Sequence, residues 1–509
     1  MVRMRYGFAI DQRTCIGCHA CTVACKTEHQ VPLGQFRTWV KYVDSGTFPD
    51  STRDFAVMRC NHCTDAPCVK ICPTSALFKR DDGIVDFDKD RCIGCKSCQQ
   101  ACPYDAIYID DDTHTAAKCN FCAHRIDDGL EPACVTVCPT HSIWVGDLDD
   151  EQSGISRLLA ETPSQVRAPE QNTGPNVFYL GAERAALDPL GAPVSDTYLW
   201  ARPDEQRLRT SGDFVGEDPT AHTTLNTAHG RPWGWRVITY LWAKGLGGGA
   251  LFVAAMAVLF GTGLGVAGDI VAPILGAVGV GATGALLVWD LKRPDRFYYL
   301  FTKPHSTSWL VLGGYCLLLF GAASLAWFVV GVGGLDGAWH PLAWAVLIPC
   351  ALVAGYTAFL FGQAEGRDLW QSGWLLPHLL VQALFVGAGA MAIVGLACGV
   401  GDSGTALIAR CLLIGGVLHI AVSLVDLLGG HHTRGAKVAA DIIVRGRYAR
   451  LFWAGSIIPT AVTVILAAVS WGGGGAAAWL AALGGLIAQP ALLAYETAYV
   501  RAAQDVPLS

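Results

Sequence analysis

Cysteines are the residues in this 509-residue chain whose spacing most clearly indicates chemistry. Sixteen of the 20 cysteines lie in four groups of four, and the first and third groups share the pattern C-x2-C-x2-C-x3-C. In chain order the groups are Cys15, Cys18, Cys21 and Cys25; Cys60, Cys63, Cys68 and Cys72; Cys92, Cys95, Cys98 and Cys102; and Cys119, Cys122, Cys134 and Cys138. The start of the chain has no apolar run typical of a secretory signal peptide. Metal or redox chemistry is therefore favoured over a disulfide framework.

The spacing within these groups indicates which metal they bind. A run of C-x2-C-x2-C-x3-C-P is typical of proteins that hold [4Fe–4S] clusters, in which the fourth cysteine of one group ligates the cluster of another. Structural zinc is the alternative, but zinc sites usually pair two C-x2-C units that are a dozen or more residues apart. At four thiolates for each cubane, the sixteen cysteines predict four clusters, working in pairs.

The charge of the chain changes sharply near residue 230. Residues 1–230 carry 22 Lys and Arg against 32 Asp and Glu, whereas residues 231–509 carry 15 against 11. The second part is too poor in charge and too rich in Leu, Ala, Val and Gly for an ordinary soluble domain. This composition excludes a purely soluble enzyme. It also excludes a nucleic-acid binder, because the soluble part is acidic and has no basic patch.

The second part contains eight apolar stretches, each near or above the ~20 residues that cross about 30 Å of hydrocarbon. They lie at about 235–261, 268–289, 307–331, 341–362, 374–399, 404–428, 451–470 and 476–498. Glycine-rich sequences at 245–249 and 276–285 suit close helix packing in lipid. The sequence therefore predicts eight membrane spans. Residues 149–230 have few sustained apolar runs and are predicted to form an extended linker or strap.

Basic residues are distributed unevenly between the two ends of these spans. The connections between spans two and three, four and five, and six and seven lie on the side of both termini. They hold Lys292, Arg293, Arg296, Lys303, Arg367, Arg434, Lys437, Arg445, Arg447 and Arg450, and the opposite connections hold no Lys or Arg. The positive-inside rule predicts a multi-pass inner-membrane protein whose cysteine-rich domain faces the cytoplasm. The extracytoplasmic side is the alternative, since cluster subunits can be exported already folded.

The cysteine groups resemble those in the four-cluster electron-transfer subunits of the molybdopterin oxidoreductase family, such as dimethyl sulfoxide, polysulfide and thiosulfate reductases. The segment KCNFCAHRIDDGLEPACVTVCPTHSIWVGDL at 118–148 is especially similar, and the resemblance covers about residues 6–180. It implies an α+β ferredoxin-like domain over residues 1–148 with two pairs of [4Fe–4S] clusters. It also implies four ligand sets, in which the outer groups pair with each other and the inner groups do likewise. These sets are Cys15, Cys18, Cys21 and Cys138; Cys119, Cys122, Cys134 and Cys25; Cys60, Cys63, Cys68 and Cys102; and Cys92, Cys95, Cys98 and Cys72.

The membrane part resembles the anchor of polysulfide reductases and of nitrite-reductase-linked complexes, over about residues 231–450. The motifs WGWRVITYLWAKGLGGGALF, VWDLKRPDRFYYLFTKPHSTSW and GYTAFLFGQAEGRDLWQSGWLLP carry this resemblance. It implies an all-α domain over residues 231–509 with eight helices in two four-helix bundles. It also implies a site for menaquinone or ubiquinone near the cluster face, and no haem. A haem b anchor is the weaker alternative, because no two spans carry the histidine pairs that bis-histidine ligation needs.

Polar and ionisable residues within the spans are the candidates for the quinone site, because such residues are costly in lipid and mark functional sites. The candidates are Tyr356, Asp426, His305, His378 and Asp290. The resemblance supports Tyr356, since that family's quinone pocket uses a tyrosine on the fourth span. The structural alternatives are interfacial packing and, for Asp426, a buried pair with His419. Lys244 in span one is either a proton-path residue or the partner of a buried acid.

Together these features predict an electron-transfer and membrane-anchor subunit of a respiratory oxidoreductase complex. It would relay electrons through four [4Fe–4S] clusters between membrane quinone and a large molybdenum or tungsten bis-pterin catalytic subunit. The chain alone is not expected to transform the main substrate, although it would carry a quinone oxidoreductase site. One alternative is the same role for a hydrogenase or multihaem cytochrome partner. Another is a proton-coupling quinone module with His419, Asp426 and Lys244 as relay groups.

Overall fold

The computed structural model describes residues 4–192, 220–227 and 230–509, and its N-terminal part consists of short strands and helices between the cysteine loops. The strands are β1 (Tyr6–Asp11), β2 (Thr38–Thr47), β3 (Asp50–Arg59), β4 (Leu77–Lys79), β5 (Val85–Phe87), β6 (Ile107–Ile109), β7 (Ala116–Lys118), β8 (Ile143–Asp147), β9 (Ser164–Gln165), β10 (Val177–Leu180) and β11 (His222–Leu225). The helices are α1 (Ala20–His29), α2 (Pro67–Ile71), α3 (Ser97–Ala101), α4 (Ala123–Asp127), α5 (Ala133–Thr136), α6 (Gly154–Glu161) and α7 (Arg184–Leu187). The strands form small sheets with the orders β8-β1-β10-β9, β11-β2-β3, β4-β5 and β6-β7. The predicted ferredoxin-like α+β class is confirmed.

The two middle cysteine groups are held by one small unit that occurs twice. In each unit a cysteine loop leads into a short helix and then a two-stranded hairpin, α2 with β4 and β5, and α3 with β6 and β7. Both helices have five residues, which is too few for a helix to be stable by itself. Ile71, Val85 and Ala101 are buried beneath the loops and supply the apolar packing that these helices need.

The sheet β8-β1-β10-β9 receives half of its strands from beyond residue 148. β10 pairs in parallel with β1, and its Val177 and Tyr179 side chains are fully buried. Residues 154–180 of the predicted linker contain a helix and two strands. A four-residue strand such as β10 leaves no pattern in the sequence, because it depends on β1 for its partner. We propose that the cluster domain extends to about residue 192. Residues 193–219 and 228–229 of the predicted linker lie outside the described residues.

Eight helices in the described ranges are long and apolar enough to cross a membrane. They are span 1 (Trp235–Leu259), span 2 (Ala267–Asp290), span 3 (Trp309–Gly333), span 4 (Trp339–Gly362), span 5 (Leu375–Cys398), span 6 (Asp402–Leu428), span 7 (Ala449–Gly472) and span 8 (Gly475–Asp505). Shorter helices at Tyr299–Thr302 and Arg434–Val444 lie in the connections. The predicted number and order of spans are confirmed, and span 8 continues beyond the apolar stretch to Asp505.

The spans form two four-helix bundles, spans 1–4 and spans 5–8, which meet where span 1 packs against span 5. Glycines permit this close contact. A Cβ at Gly249 would overlap the carbonyl of Ala383, and a Cβ at Gly387 would overlap the backbone of Gly249. Small residues let helices approach in lipid, where van der Waals contact rather than a hydrophobic driving force holds them together. The GLGGG sequence thus contributes to the seam between the bundles.

The cluster domain is bonded to the span ends that carry the basic connections. The backbone N–H groups of Lys292 and Arg293 donate to the carbonyl oxygens of Gly94 and Ile93, at 3.1 and 3.2 Å. The backbone N–H of His305 donates to the Pro73 carbonyl oxygen at 2.8 Å. These bonds run through main-chain atoms, so they fix the second and third cysteine loops against the membrane helices.

Buried polar side chains complete the junction between the two domains. The Lys96 ammonium donates to Asp290 at 2.7 Å, with both side chains almost fully buried. The Arg367 guanidinium donates to the Gln100 side chain at 2.8 Å and to the Val506 carbonyl oxygen at 3.1 Å. Buried charges are stable only when they are paired or hydrogen-bonded. This network therefore couples the position of the cluster domain to the ends of spans 2 and 8.

Candidate functional site

The four cysteine loops share a backbone feature that turns each loop around a compact centre. In every group the residue before the second cysteine has a positive φ, between 44° and 67°. These residues are Gly17, His62, Gly94 and Phe121. Glycine is required at position 94, because a Cβ there would come within 2.8 Å of the His114 carbonyl oxygen and 2.6 Å of Lys292. The loop can therefore fit closely against the membrane domain.

The sixteen cysteines come together in four sets of four. Three sets line separate small cavities: site A, with Cys15, Cys18, Cys21 and Cys138; site C, with Cys60, Cys63, Cys68 and Cys102; and site D, with Cys92, Cys95, Cys98 and Cys72. In site B, Cys25 lies close enough to Cys119, Cys122 and Cys134 for their charges to act on its thiol. These sets have the same members as the sets that the sequence resemblance implies.

The chemistry of the donors fits iron–sulfur clusters. Burial, followed by the neighbouring thiols, raises the pKa of Cys98 well above its ordinary value, so four thiolates at site D need positive iron to balance them. Backbone N–H groups of Ala116 and Ser142 point at the sulfurs of Cys92 and Cys138, each at 3.3 Å. Such bonds tune bound clusters. Four thiols around one small cavity suit a cubane, which takes one thiolate for each iron.

Short helices set the order of the four sites. Helix α1 carries Cys21 of site A and Cys25 of site B, one turn or about 6 Å apart. Helix α2 carries Cys68 of site C and is followed directly by Cys72 of site D. Site B adjoins site C where β7 ends, because Cys119 of site B and Lys118 lie close enough to Cys60 of site C to act on its thiol. The sites therefore form a row in the order A, B, C, D.

The two ends of this row lie in different surroundings. Cys18 of site A is exposed at the surface of the cluster domain. At site D, the indole N–H of Trp233 donates to the Cys95 carbonyl oxygen at 3.4 Å, and Trp233 stacks on Trp370 of the membrane domain at 5.3 Å. One end of the row thus opens to solvent, and the other ends on the membrane helices.

Tyr356 lies buried in the first bundle beneath site D. A Cβ at Gly313 would overlap its ring, so span 3 packs directly on this tyrosine. Gly313 is five residues beyond Ser308, and the Ser308 hydroxyl donates to the carbonyl oxygen of Ile71 at 2.8 Å. Five residues of helix span about 7.5 Å. Tyr356 is therefore close, by way of span 3, to the loop that carries the site D ligand Cys72.

Lys244 lies beside Tyr356, and the charge of a buried acid, Glu496, acts on it. Its ammonium is 4.6 Å from the centroid of the Tyr356 ring and donates to the carbonyl oxygens of Val353 and Ala354, at 3.2 and 2.7 Å. Glu496 of span 8 is buried and acts electrostatically on Lys244. Glu496 is not among the candidate residues predicted from the sequence, because it lies at the end of the last apolar stretch. The position of Lys244 within an apolar span is the feature of the sequence that indicates a nearby buried acid.

His378 and Asp426 belong to a different polar cluster, in the second bundle. The Nε2 atom of His378 is 2.9 Å from Nδ1 of His419, and the Tyr495 hydroxyl is 3.2 Å from Nδ1 of His378. Asp426 accepts a hydrogen bond of 2.5 Å from the hydroxyl of Ser372. The alternative of a His419–Asp426 pair therefore needs correction. Seven residues of helix, about 10.5 Å, separate the two positions, and each side chain has another partner.

Asp290 and His305 are engaged with the cluster domain. Besides Lys96, Asp290 has the Arg236 guanidinium at 3.7 Å. The Nδ1 atom of His305 is 3.0 Å from the carbonyl oxygen of Cys72. Both candidates thus lie at the junction next to site D, while Tyr356 is within the first bundle and His378 and Asp426 are within the second.

Comparison with known families divides the chain in the same way. Residues 52–148 match the 4Fe-4S dicluster domain, and residues 223–487 match the family described as polysulphide reductase, NrfD. The first match covers the three cysteine groups that follow residue 52 and the second covers most of the eight spans. The two resemblances found in the sequence are therefore confirmed.

Curated relatives match the N-terminal part. The sequence is 46% identical to the B component of the tetrathionate reductase of Salmonella typhimurium over 192 residues, which are 37% of this chain and 77% of that protein. It is 37% identical to the iron-sulfur component of a putative dimethyl sulfoxide reductase of Halobacterium salinarum, over 44% of this chain and 98% of that protein. It is 40% identical to the B component of the polysulfide reductase of Wolinella succinogenes, over 36% of this chain and 98% of that protein. The protein belongs to the polysulphide reductase NrfD family and carries a 4Fe-4S dicluster domain in the same polypeptide.

Proposed function

We propose that this protein is the electron-transfer and membrane-anchor subunit of a respiratory reductase complex, passing electrons between a separate catalytic subunit and membrane quinone. The observation that carries this proposal is the contact of the site D loop with the start of span 3, about one and a half helical turns from the contact of span 3 with Tyr356. Bound [4Fe–4S] clusters, four in the proposal, supply one-electron transfer. The chain holds their thiolate ligands, keeps water from the buried sites and fixes the row against the membrane helices.

The proposed quinone site is centred on Tyr356 and takes menaquinone or ubiquinone. A quinone carbonyl accepts hydrogen bonds, and the Tyr356 hydroxyl can donate one. Reduction of a quinone takes two electrons and two protons, so groups that hold protons must lie near it. Lys244 over the Tyr356 ring and the buried Glu496 supply such groups. The other candidates are each bonded to protein groups elsewhere, so they rank behind Tyr356.

Site A is the proposed contact with the catalytic subunit. Around the exposed Cys18, the side chains of Ile16, Val23 and Val137 are 58, 61 and 41% exposed. Exposed apolar residues beside a redox centre suit a protein partner that excludes water from the contact. The relatives are named as components of tetrathionate, dimethyl sulfoxide and polysulfide reductases. These names support a partner of the molybdenum or tungsten bis-pterin class.

The cluster domain is proposed to face the cytoplasm. Support comes from Lys292, Arg293 and Arg367, which lie at the span ends nearest that domain, while the opposite connections hold no Lys or Arg. An epitope inserted after Gly474, between spans 7 and 8, should be reached by antibody on the outside of intact cells. If antibody reaches the epitope only after the membrane is opened, the cluster domain faces outward.

The ligand assignment can be tested by replacing one cysteine. Cys98→Ser should remove the signal of one cluster from the electron paramagnetic resonance spectrum and lower the iron content from about sixteen to about twelve atoms per chain. Cys350→Ser, at a buried thiol within span 4, is the matched control and should leave both quantities unchanged. A Cys98→Ser protein with an unchanged spectrum would refute the assignment of site D.

The quinone assignment can be tested at Tyr356. Tyr356→Phe removes only the hydroxyl, and it should lower the rate of quinol turnover at least about tenfold, because it removes a donor needed in the reaction. The cluster spectrum should be unchanged. Tyr315→Phe is the control, since Tyr315 lies on span 3 with 47% of its surface exposed. Normal quinol kinetics in Tyr356→Phe would exclude this tyrosine from the site.

The polar cluster in the second bundle favours a second candidate function, a proton-coupling quinone module. Within the described part of the chain, Nε2 of His419 and Oδ2 of Asp426 are buried without a hydrogen-bond partner, and such groups within a membrane mark functional sites. If the module moves protons, Asp426→Asn should abolish proton uptake by sealed vesicles while quinone chemistry continues. Proton uptake equal to that of the unmodified protein would contradict this candidate.

A further inference from the structure

Arg59, the last residue of β3, is a buried cation next to two of the cluster sites. Its side chain is fully buried, and its Nη1 atom donates to the sulfur of Cys134 at 3.4 Å. The guanidinium carbon lies 4.4 Å from the centroid of the Phe8 ring. The pairing of Arg59 with Thr38 on β2 fixes its backbone. The charge is therefore held at one place, beside site B.

No carboxylate of the described residues forms an ion pair with Arg59, and its Nε and Nη2 atoms have no hydrogen-bond partner there. An arginine stays charged under all physiological conditions. Burying such a charge without a partner is strongly destabilising. The cluster sites must therefore supply the compensating negative charge.

The groups that act electrostatically on Arg59 are thiols of two sites. Burial opposes its charge, but Cys134 and Cys119 of site B and Cys21 of site A raise the pKa of Arg59 above its ordinary value. Two of these three thiols, including the hydrogen-bonded one, belong to site B. The charge therefore acts most strongly at site B and less strongly at site A.

A second buried cation lies between sites B and C, and its charge acts on Cys60 and Cys68 of site C. Lys118 is fully buried, and its ammonium donates to the carbonyl oxygens of Val85 and of Cys119, the latter at 2.9 Å. Site D differs, because the nearby Lys96 is neutralised by Asp290. Arg59 is thus a buried cation that is hydrogen-bonded to a site B ligand and pairs with no acid among the described residues.

We propose that Arg59 acts as a fixed positive charge that raises the reduction potential of the cluster at site B. This inference rests on the proposed function. Reduction adds one electron and no proton to a thiolate-ligated cluster that is already negative. A nearby buried cation stabilises the reduced form more than the oxidised form, and the effect falls with distance.

The test is a redox titration of the full chain in detergent, followed by electron paramagnetic resonance. The signal of site B is first identified as the one that Cys122→Ser removes. Arg59→Met should then lower the affinity of that site for an electron at least tenfold, a shift of about 59 mV for a one-electron couple. Arg59→Lys keeps the charge and should recover most of the shift. The potentials of sites C and D should stay nearly constant.

Arg167→Met is the matched control, because Arg167 is another buried arginine and its guanidinium donates to the Leu508 carbonyl oxygen. An unchanged site B potential in Arg59→Met, or an equal shift in Arg167→Met, would overturn the inference. If Arg59→Met loses the cluster at B, Arg59→Gln carries the test, and an unshifted site B potential there overturns the inference. Absence of clusters from the unmodified protein would instead overturn the proposed function.

Discussion

The attachment of site D to the membrane helices is the constraint on which the rest of the structure depends. Electron tunnelling falls steeply with distance, so a row of clusters can serve a membrane quinone only if its last member is fixed close to the spans. The chain achieves this with main-chain bonds from Lys292, Arg293 and His305 to the cysteine loops. The third loop must then lie close to the spans, which explains the glycine with a positive φ at position 94, where a Cβ would overlap Lys292.

The same junction gives a physical reason for the uneven charge of the chain. The cluster part is acidic and the membrane part is basic, and several basic residues of the connections bond to the cluster domain. Arg296 donates to the carbonyl oxygens of Lys89 and Cys92, and Arg434 pairs with Asp188 at 2.5 Å. Two requirements therefore act on these connections: orientation across the membrane and docking of an acidic domain.

The sequence predicts the structure best where metal binding or the lipid bilayer requires a particular pattern of residues. Cysteine spacing gives the metal ligands, and the length of apolar runs gives the eight spans. It predicts less where a residue's role depends on a distant partner. Strand β10 is too short to recognise without its partner β1. The acid whose charge acts on Lys244 is Glu496, near the far end of the chain. His419 bonds to His378 of another span rather than to Asp426. Such pairs depend on packing between elements, which no local pattern encodes.

The central claim is that electrons pass between the cluster row and a quinone within this one chain. The most direct test is to reduce the purified protein in lipid nanodiscs, remove the reductant and add a quinone. The account predicts that the clusters are reoxidised and that one quinol forms for every two electrons they lose. Clusters that stay reduced with quinone, yet are oxidised by ferricyanide, would contradict the account, because the row would then have no electron path to the membrane site.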